Sequence, residues 1–313
     1  MREISYKFVG MLLNKKEKKM KLTSKIALAL GLIVTLTACG SGAEKKEEAP
    51  KEEAKTESKD AGETAKSTDP VHIKIGVVGE YNEVLEEVIK RYEKGTGNTV
   101  ELVKFSDYAQ PNEALLAGDI DLNAYQHYKF LKEFNEDKGS DLVSIGDTML
   151  APITLYSHKV KKLEDIKEGA KIAIPNDPSN GSRALFLLQD AGLIKVEGEP
   201  GDTIGVDKIK ENPKKLDIVE MDASQTARSL DDVDCAVVND TFALDAGLDK
   251  NEGIYVENPK SDSVKQYINL IAARKEDENN PAYKEFVKYY QTDETKADFE
   301  RITKGAWLPA WDN

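Results

Sequence analysis

The chain has 313 residues, of which 32% are Asp, Glu, Lys or Arg, and its net charge at pH 7 is −13. Such an acidic chain argues against nucleic acid as a partner, because the phosphate backbone is bound mainly through clustered Lys and Arg side chains. The only cysteines are Cys39 and Cys235, so no intramolecular disulfide is possible once one of them is modified.

The first predicted element is a bacterial secretory signal peptide over residues 1–38. Six lysines between residues 15 and 25 precede an apolar run over residues 26–36, and small residues follow before Cys39. As a helix, this run would extend roughly 16 Å, which is too short to span the ~30 Å hydrocarbon core of a bilayer well. Residues 36–39, Leu-Thr-Ala-Cys, resemble a lipobox. We therefore predict that the Cys39 thiol is lipidated and becomes the new N-terminus.

The segments on either side of this signal lead to two further predictions. Residues 20–25 already form a complete basic head, so we hypothesise that translation begins at Met20. Residues 40–70 contain almost no large apolar side chain and cannot bury enough surface to offset their ordering entropy, which predicts a disordered tether over residues 39–70. Removal of residues 1–38 changes the net charge from −13 to −19. Membrane attachment must therefore come from the lipid rather than from attraction to anionic headgroups.

The folded body is predicted over residues 71–313, where short apolar runs alternate with amphipathic stretches. Strands are predicted at residues 72–78, 100–105, 121–125, 152–158, 171–175, 216–220, 234–239, 253–256 and 267–273. Helices are predicted from residue 84 to a stop at Gly95 and over residues 111–117, 182–191, 226–230, 241–246 and 281–302. This alternation favours an α/β fold of packed layers with mostly parallel sheets.

The sequence carries no recognisable catalytic motif. It has no Gly-x-Ser-x-Gly elbow, Walker loop, dinucleotide fingerprint or His-Glu-x-x-His pair. The histidines, His72, His127 and His158, lie too far apart to suggest a local metal site. Cys235 sits in an apolar run, which predicts a buried, inert thiol. We therefore expect no enzymatic activity, no metal and no cofactor.

Polar and aromatic residues cluster instead just past the predicted strands. They occupy residues 105–115, 121–127, 174–185 and 237–241. In open α/β sheets, ligands bind outside the carboxyl ends of the strands, so these segments are candidates for a binding site.

Arg183 has a specific place in this pattern. Asn180 or Ser179 can cap the helix that follows, which would put free backbone N–H groups at its start and Arg183 in its first turn. A cation beside the positive end of the helix dipole is unfavourable, and a bound carboxylate would remove the conflict by accepting hydrogen bonds from both donors. Alternatively, Arg183 pairs with one of the many acidic residues of the body. The residues alone favour neither interpretation.

Five stretches of the body resemble the NlpA-type lipoproteins, which are the methionine-binding components of methionine uptake ABC transporters. They are Tyr-x-x-Pro-Asn-Glu-Ala-Leu (108–115), Leu-Asn-Ala-Tyr-Gln-His (122–127), Ile-Pro-Asn-Asp-Pro-x-Asn with Arg183 (174–183), Ala-x-Gln-x-x-Arg-Ser-Leu-Asp-Asp (223–232) and Asn239. The resemblance implies a two-lobed, type II periplasmic-binding-protein-like α/β fold with a ligand cleft between the lobes. Lobe 1 would comprise residues 71–154 and 254–313, and lobe 2 residues 155–253.

The resemblance also implies six ligand-binding residues: Tyr108, Tyr125, His127, Asn176, Arg183 and Asn239. Arg183 would bind the α-carboxylate and Asn239 the amino-acid head group. The two tyrosines and His127 would line the side-chain part of the cleft, and Asn176 would support the ligand from the opposite lobe. Plainer roles remain open for four of them: interlobe packing for the tyrosines, a satisfied surface histidine for His127, and an organised turn for Asn176.

The function that the resemblance implies is that of a lipid-anchored receptor on the extracytoplasmic face of the cell membrane. It would capture L-methionine and deliver it to an ABC permease and its ATPase. A methylene in place of the sulfur would lose little binding energy, so another amino acid or a methionine-containing dipeptide remains an alternative cargo. A surface adhesion lipoprotein is the alternative from a different class, and an enzyme on the same scaffold is a third.

Overall fold

The computed structural model describes residues 69–311. The predicted signal peptide, the proposed start at Met20, the lipidation site Cys39 and nearly all of the predicted tether lie outside the described residues. Within residues 69–311, no helix combines the length and apolarity that a bilayer crossing requires.

The chain alternates between strands and helices. The strands are β1 (His72–Val78), β2 (Thr99–Phe105), β3 (Leu122–His127), β4 (Val143–Leu150), β5 (Thr154–Tyr156), β6 (Lys171–Pro175), β7 (Lys195–Val196), β8 (Ile209–Glu211), β9 (Asp217–Met221), β10 (Cys235–Val238), β11 (Tyr255–Val256), β12 (Ile268–Ala273) and β13 (Leu308–Pro309). The helices are α1 (Glu83–Thr96), α2 (Pro111–Ala117), α3 (Tyr128–Lys138), α4 (Pro178–Asp190), α5 (Ala223–Thr226), α6 (Asp240–Asp245), α7 (Pro281–Tyr290) and α8 (Asp293–Thr303). Short 3-10 turns connect several of them.

Two large sheets organise these elements. The first has the strand order β13-β4-β12-β3-β1-β2, and the second has the order β11-β5-β10-β6-β9. The chain passes from the first sheet to the second between Leu150 and Thr154, and returns between Val256 and Ile268. Each sheet has its own apolar core: α1, α7 and α8 pack on the first, and α4 packs on the second. The prediction of two α/β lobes agrees with this arrangement, while the residue boundaries assigned to the lobes stay a prediction.

Both sheets are mixed, so the prediction of mostly parallel sheets is wrong. In the first sheet, β1 is parallel to β2 and β3, whereas β12 is antiparallel to β3 and β4. In the second sheet, β6 is parallel to β9 and β10, whereas β5 is antiparallel to β10 and β11. The antiparallel pairs involve β4, β5, β11 and β12, the strands that flank the two crossings of the chain between the sheets. At these crossings the chain enters a sheet from the opposite direction.

The predicted helix stop at Gly95 is wrong by two residues. Helix α1 continues through Thr96 and ends at Gly97, which adopts the left-handed conformation (φ 78°) that glycine tolerates without steric cost. The buried face of α1 is the apolar stripe that predicted the helix. Gly95 stays helical, and the Tyr289 side chain lies so close to it that a Cβ on Gly95 would collide with the Tyr289 hydroxyl.

The sequence predicted no element between residues 128 and 150, where the structure has α3 and β4. Helix α3 is capped by the His127 side chain, whose Nδ1 accepts a hydrogen bond from the Phe130 N–H at 3.1 Å. Strand β4 contains Gly146, and a Cβ there would lie 2.5 Å from Val287 Cγ1 on α7. The unusual cap hides α3 in the sequence, and the glycine that α7 requires hides β4.

Candidate ligand-binding site

A chamber between the two sheets collects most of the predicted site residues. Its walls are Tyr108, Tyr125, Gln126, His127, Phe130, Met149, Ala151, Asn180, Arg183, Asn239, Asp240, Thr241 and Asn269. Five of the six predicted ligand-binding residues are among them. The sixth, Asn176, is exposed and lines a neighbouring pocket, which shares Tyr108 and Phe130 with the chamber.

His127 is held inside the protein. Its side chain is 5% exposed, so the interpretation of a surface histidine is wrong. Because Nδ1 accepts from the Phe130 N–H, Nε2 carries the proton and donates to Asn180 Oδ1 at 3.3 Å. Burial lowers the pKa of His127 to about 3, and the charge of Arg183 contributes to this shift. The imidazole is therefore neutral at physiological pH.

Arg183 occupies a different position on its helix from the one that the sequence suggested. Helix α4 starts at Pro178, and its cap is Asp177, whose carboxylate accepts a hydrogen bond from the Asn180 N–H at 2.9 Å. The prediction that Asn180 or Ser179 is the cap is wrong, because the proline at the first helical position starts the helix earlier than expected. Arg183 therefore lies in the second turn of α4.

The Arg183 guanidinium forms an ion pair and still retains a donor. Nε donates to Glu257 Oε1 at 2.8 Å, and Nη2 donates to Glu257 Oε2 at 2.5 Å and to the Ala151 carbonyl at 3.0 Å. The group also stacks 4.2 Å from the centre of the Tyr267 ring. Among residues 69–311, none accepts a hydrogen bond from Nη1. Glu257 therefore fixes the guanidinium while one of its nitrogens stays available.

Three amide and imidazole side chains link the two walls of the chamber. Asn180 Oδ1 accepts from Asn239 Nδ2 at 2.7 Å as well as from His127 Nε2. These contacts turn Asn239 so that its Oδ1 is buried and has no hydrogen-bond partner in the described part of the chain. A buried acceptor left unsatisfied costs about 1–3 kcal/mol. Asn239 Oδ1 is thus an acceptor that a ligand N–H would satisfy.

Aromatic rings form the remaining wall. The ring centres of Tyr108 and Tyr125 are 5.9 Å apart, and Tyr108 lies 5.0 Å from Phe242 of the opposite sheet. The Tyr125 hydroxyl donates to the Tyr108 carbonyl at 3.2 Å. The tyrosines thus take part in interlobe packing and line the chamber at the same time. A thioether that enters the chamber would meet these rings, and sulfur interacts favourably with aromatic edges.

The family follows from a match over almost the whole described body. The family model described as NlpA lipoprotein matches residues 73–311. The chain belongs to the NlpA lipoprotein family. The resemblance on which the sequence analysis relied is therefore confirmed.

Several proteins that are similar to this chain have descriptions that refer to methionine. The protein named D-methionine-binding lipoprotein MetQ from Escherichia coli K12 is 42% identical over 247 residues, which cover 78% of this chain and 90% of the relative. The structure of the substrate-binding protein of a methionine transporter from Streptococcus pneumoniae is 44% identical, covers 77% of this chain and 96% of its own, and has a TM-score of 0.73. A nutrient-binding protein from Burkholderia cenocepacia, solved bound to methionine, is 43% identical, covers 76% and 99%, and has a TM-score of 0.72. The prediction of a two-lobed substrate-binding fold is confirmed.

Several residues of the chamber of this NlpA lipoprotein were not predicted from the sequence. Asn269 lies on β12, where it is 9% exposed among apolar neighbours, and a lone polar residue in an apolar strand was the available signal. Gln126 and Asp240 belong to segments that the sequence singled out, but neither received a role. Gln126 Nε2 donates to Asn112 Oδ1 at 2.6 Å and to Asn123 Oδ1 at 2.9 Å, so a buried amide cluster holds its head group in place.

The described residues include neither a reactive thiol nor a cluster of metal ligands. Cys235 is fully buried on β10, and burial raises the pKa of its thiol to about 11, which keeps it protonated and unreactive. Within the described residues, no three His, Cys, Asp or Glu side chains are grouped as a metal ion would need. The chamber instead combines a cationic donor, neutral amides and aromatic rings.

Proposed function

We propose that this chain is the substrate-binding lipoprotein of an ABC importer and that it binds L-methionine in the chamber between its sheets. It is a binding protein and not an enzyme. The observation that carries the proposal is that one chamber is lined by a fixed guanidinium, that of Arg183, and by an orphaned acceptor, Asn239 Oδ1. A zwitterionic amino acid has a carboxylate that can accept from the guanidinium and an ammonium group that can donate to the amide oxygen. The descriptions of the relatives as methionine-binding proteins support the choice of cargo.

Each predicted site residue receives a role in this proposal. Arg183 Nη1 donates to the α-carboxylate, and Asn239 Oδ1 accepts from the α-ammonium group. Tyr108, Tyr125 and the neutral His127 surround the thioether side chain, where charge would be unfavourable. Asn176 contributes from the rim, since its exposed side chain lines the pocket next to the chamber.

The favourable contacts of such a site are comparable in size with the free energy of micromolar binding. A charge-assisted hydrogen bond contributes ~1.5–3 kcal/mol, burial of the thioether side chain adds ~1.5–3 kcal/mol, and contact between sulfur and aromatic rings adds ~0.3–1.5 kcal/mol. With the hydrogen bond to Asn239, the sum approaches the roughly 8 kcal/mol that corresponds to micromolar affinity.

The anchoring and the partners belong to the same proposal. Lipidation of Cys39 would hold the protein on the extracytoplasmic face of the cell membrane, and the tether of residues 39–70 would let the body reach the permease and its ATPase. Labelling cells with an alkyne fatty acid, in the wild type and in a Cys39→Ser variant, tests the anchor. The proposal requires label on the wild type only.

A thermal unfolding series tests the cargo. The mature chain with Cys39→Ser, unfolded and refolded to remove carried-over ligand, is melted with L-methionine, D-methionine, norleucine, other amino acids and methionine dipeptides. Ligand at a hundredfold excess over its dissociation constant stabilises the native state by ~2.7 kcal/mol, which raises the midpoint by a few degrees. A shift with L-methionine supports the proposal. A shift only with another compound would identify that compound as the ligand instead of L-methionine. The absence of a shift with any compound favours an adhesion lipoprotein.

A further inference from the structure

Asp240 occupies a place in the chamber that the proposed ligand contacts leave unexplained. It follows Asn239 directly, at the start of α6, and its side chain is 6% exposed. Its Oδ2 accepts a hydrogen bond of 2.5 Å from Trp307 Nε1, which lies beside β13 of the first sheet. Asp240 thus lines the chamber, and its carboxylate connects α6 to the segment beside β13 of the first sheet.

The other oxygen of this carboxylate has no protein partner. Over residues 69–311, no group donates a hydrogen bond to Asp240 Oδ1, and no Lys, Arg or His forms an ion pair with the side chain. The nearby cations have other partners: Arg183 is engaged by Glu257, and Lys250 Nζ donates to the Gly305 carbonyl at 2.5 Å. A buried carboxylate in this state is unfavourable unless a cation or a further donor joins it.

The charges around the chamber indicate the missing partner. Arg183 and Glu257 compensate each other, and His127 is neutral. Asp240 has no ion-pair partner in the described part of the chain, although the charges of Lys250 and Arg183 act on it, and it lines the same chamber as Asn239, whose Oδ1 is orphaned. An acceptor and an anion on adjacent residues match a compact cation with several N–H donors, which is the chemistry of a primary ammonium group.

We propose that Asp240 is the counter-ion of the ligand's α-ammonium group and restricts the chamber to ligands with a free α-amino group. The inference rests on the proposed function, because it takes the ligand to be an α-amino acid. It adds a specificity-determining residue that the resemblance does not assign. The amide oxygen of Asn239 can accept a hydrogen bond from a hydroxyl as well as from an ammonium group. The Asp240 carboxylate forms an ion pair only with a cation.

Calorimetric titration of two ligands against two proteins tests the inference. The ligands are L-methionine and its 2-hydroxy analogue, in which a hydroxyl replaces the ammonium group, and the proteins are the mature wild type and Asp240→Asn, both with Cys39→Ser. Loss of a charge-assisted contact changes a dissociation constant by about 10- to 100-fold. We expect Asp240→Asn to weaken L-methionine binding by that factor and to leave binding of the hydroxy analogue unchanged or stronger.

Trp307→Phe removes the hydrogen bond to Oδ2 and keeps the carboxylate. Because that hydrogen bond favours the charged carboxylate, its loss should weaken L-methionine binding more than binding of the hydroxy analogue, in the same sense as Asp240→Asn but by a smaller factor. The inference would be overturned if Asp240→Asn weakened binding of both ligands equally, or if it did not weaken binding of L-methionine. In either case, methionine binding by the wild type would still support the proposed function. A wild type that binds no methionine would overturn both. Near-ultraviolet circular dichroism of each variant verifies that its tertiary structure is native.

Discussion

Arg183 and Glu257, 74 residues apart in the chain, form a buried two-point ion pair at the edge of the ligand chamber. The pair joins α4 of the second sheet to the segment that carries the chain back to the first sheet. The side chains are 3% and 12% exposed, so each charge depends on the other for compensation. The contact thus links the stability of the body to the position of the donor that we assign to the ligand carboxylate.

Arg183→Ala should therefore impair stability as well as binding. Loss of one partner leaves Glu257 uncompensated, and we expect the free energy of unfolding to fall by about 3–5 kcal/mol in urea titrations. Methionine binding, measured by calorimetry, should be lost. In the double variant Arg183→Met, Glu257→Gln, both charges are absent, so most of the stability should return without the binding. Recovery of binding in the double variant would show that the guanidinium does not hold the ligand.

His127 should make the body less stable in mild acid. Its pKa is lowered from the ordinary value of 6.5 to about 3 by folding, so from pH 6.5 downward only the unfolded chain gains the proton. The free energy of unfolding should then fall by up to about 1.4 kcal/mol per pH unit from this residue. Asp240 acts in the opposite direction, because burial raises its pKa from 3.8 to about 6.

Comparison of variants separates these two groups. His127→Gln should remove the His127 contribution, so that its free energy of unfolding declines less steeply between pH 6.5 and 5 than that of the wild type. Parallel curves for His127→Gln and the wild type would mean that His127 is protonated in the folded protein.

Methionine affinity should depend on pH through Asp240. The deprotonated carboxylate is the form that pairs with ammonium, so affinity should be full above about pH 7 and should weaken as the pH falls below about 6. Burial is the main cause of the raised pKa, while the Trp307 N–H, Lys250 and Arg183 oppose it. The hydroxyls of Tyr81, Tyr108 and Tyr156 also face this region, but their pKa values are raised and they stay neutral.

Calorimetry at pH 5, 6, 7 and 8 measures this dependence. The Asp240→Asn variant should bind methionine with an affinity that varies much less over this range. His127 should not contribute, because it is already neutral at each of these pH values. An acid-induced loss of the same size in wild type and variant would assign the pH dependence to another group.

Asp245 should slow ligand dissociation, because it connects the parts of the chain that belong to the two sheets. Its carboxylate accepts hydrogen bonds from the Glu80 and Tyr81 N–H groups at 3.0 and 2.7 Å, which connects α6 to the loop after β1 outside the chamber. Asp245→Ala removes these charge-assisted contacts, and we expect ligand dissociation to accelerate about tenfold or more in stopped-flow fluorescence. The ratio of methionine to norleucine affinity should not change. A changed ratio would mean that Asp245 shapes the chamber itself.

Local patterns in the sequence were sufficient for much of the fold. Strands β1 and β6 and helix α2 have the predicted bounds, because their apolar runs, their flanking polar residues and a proline at the helix start act over a few residues. The motifs also pointed to the correct family and to five residues that share one chamber. Helix α3 escaped prediction because its cap is a histidine side chain rather than one of the usual capping residues.

The amino-acid sequence by itself thus determined most of the α/β elements, the family and most of the residue types in the chamber. Only the tertiary structure decided the partners of those residues. Asn180 meets Asn239 across 59 residues, and Glu257 reaches Arg183 from the returning segment. Burial in the chamber wall makes His127 neutral. Asp240 Oδ1 has no hydrogen-bond donor among the described residues. Hydrogen bonds and desolvation act over a few ångströms in space, and spacing along the chain does not specify which distant residues come that close.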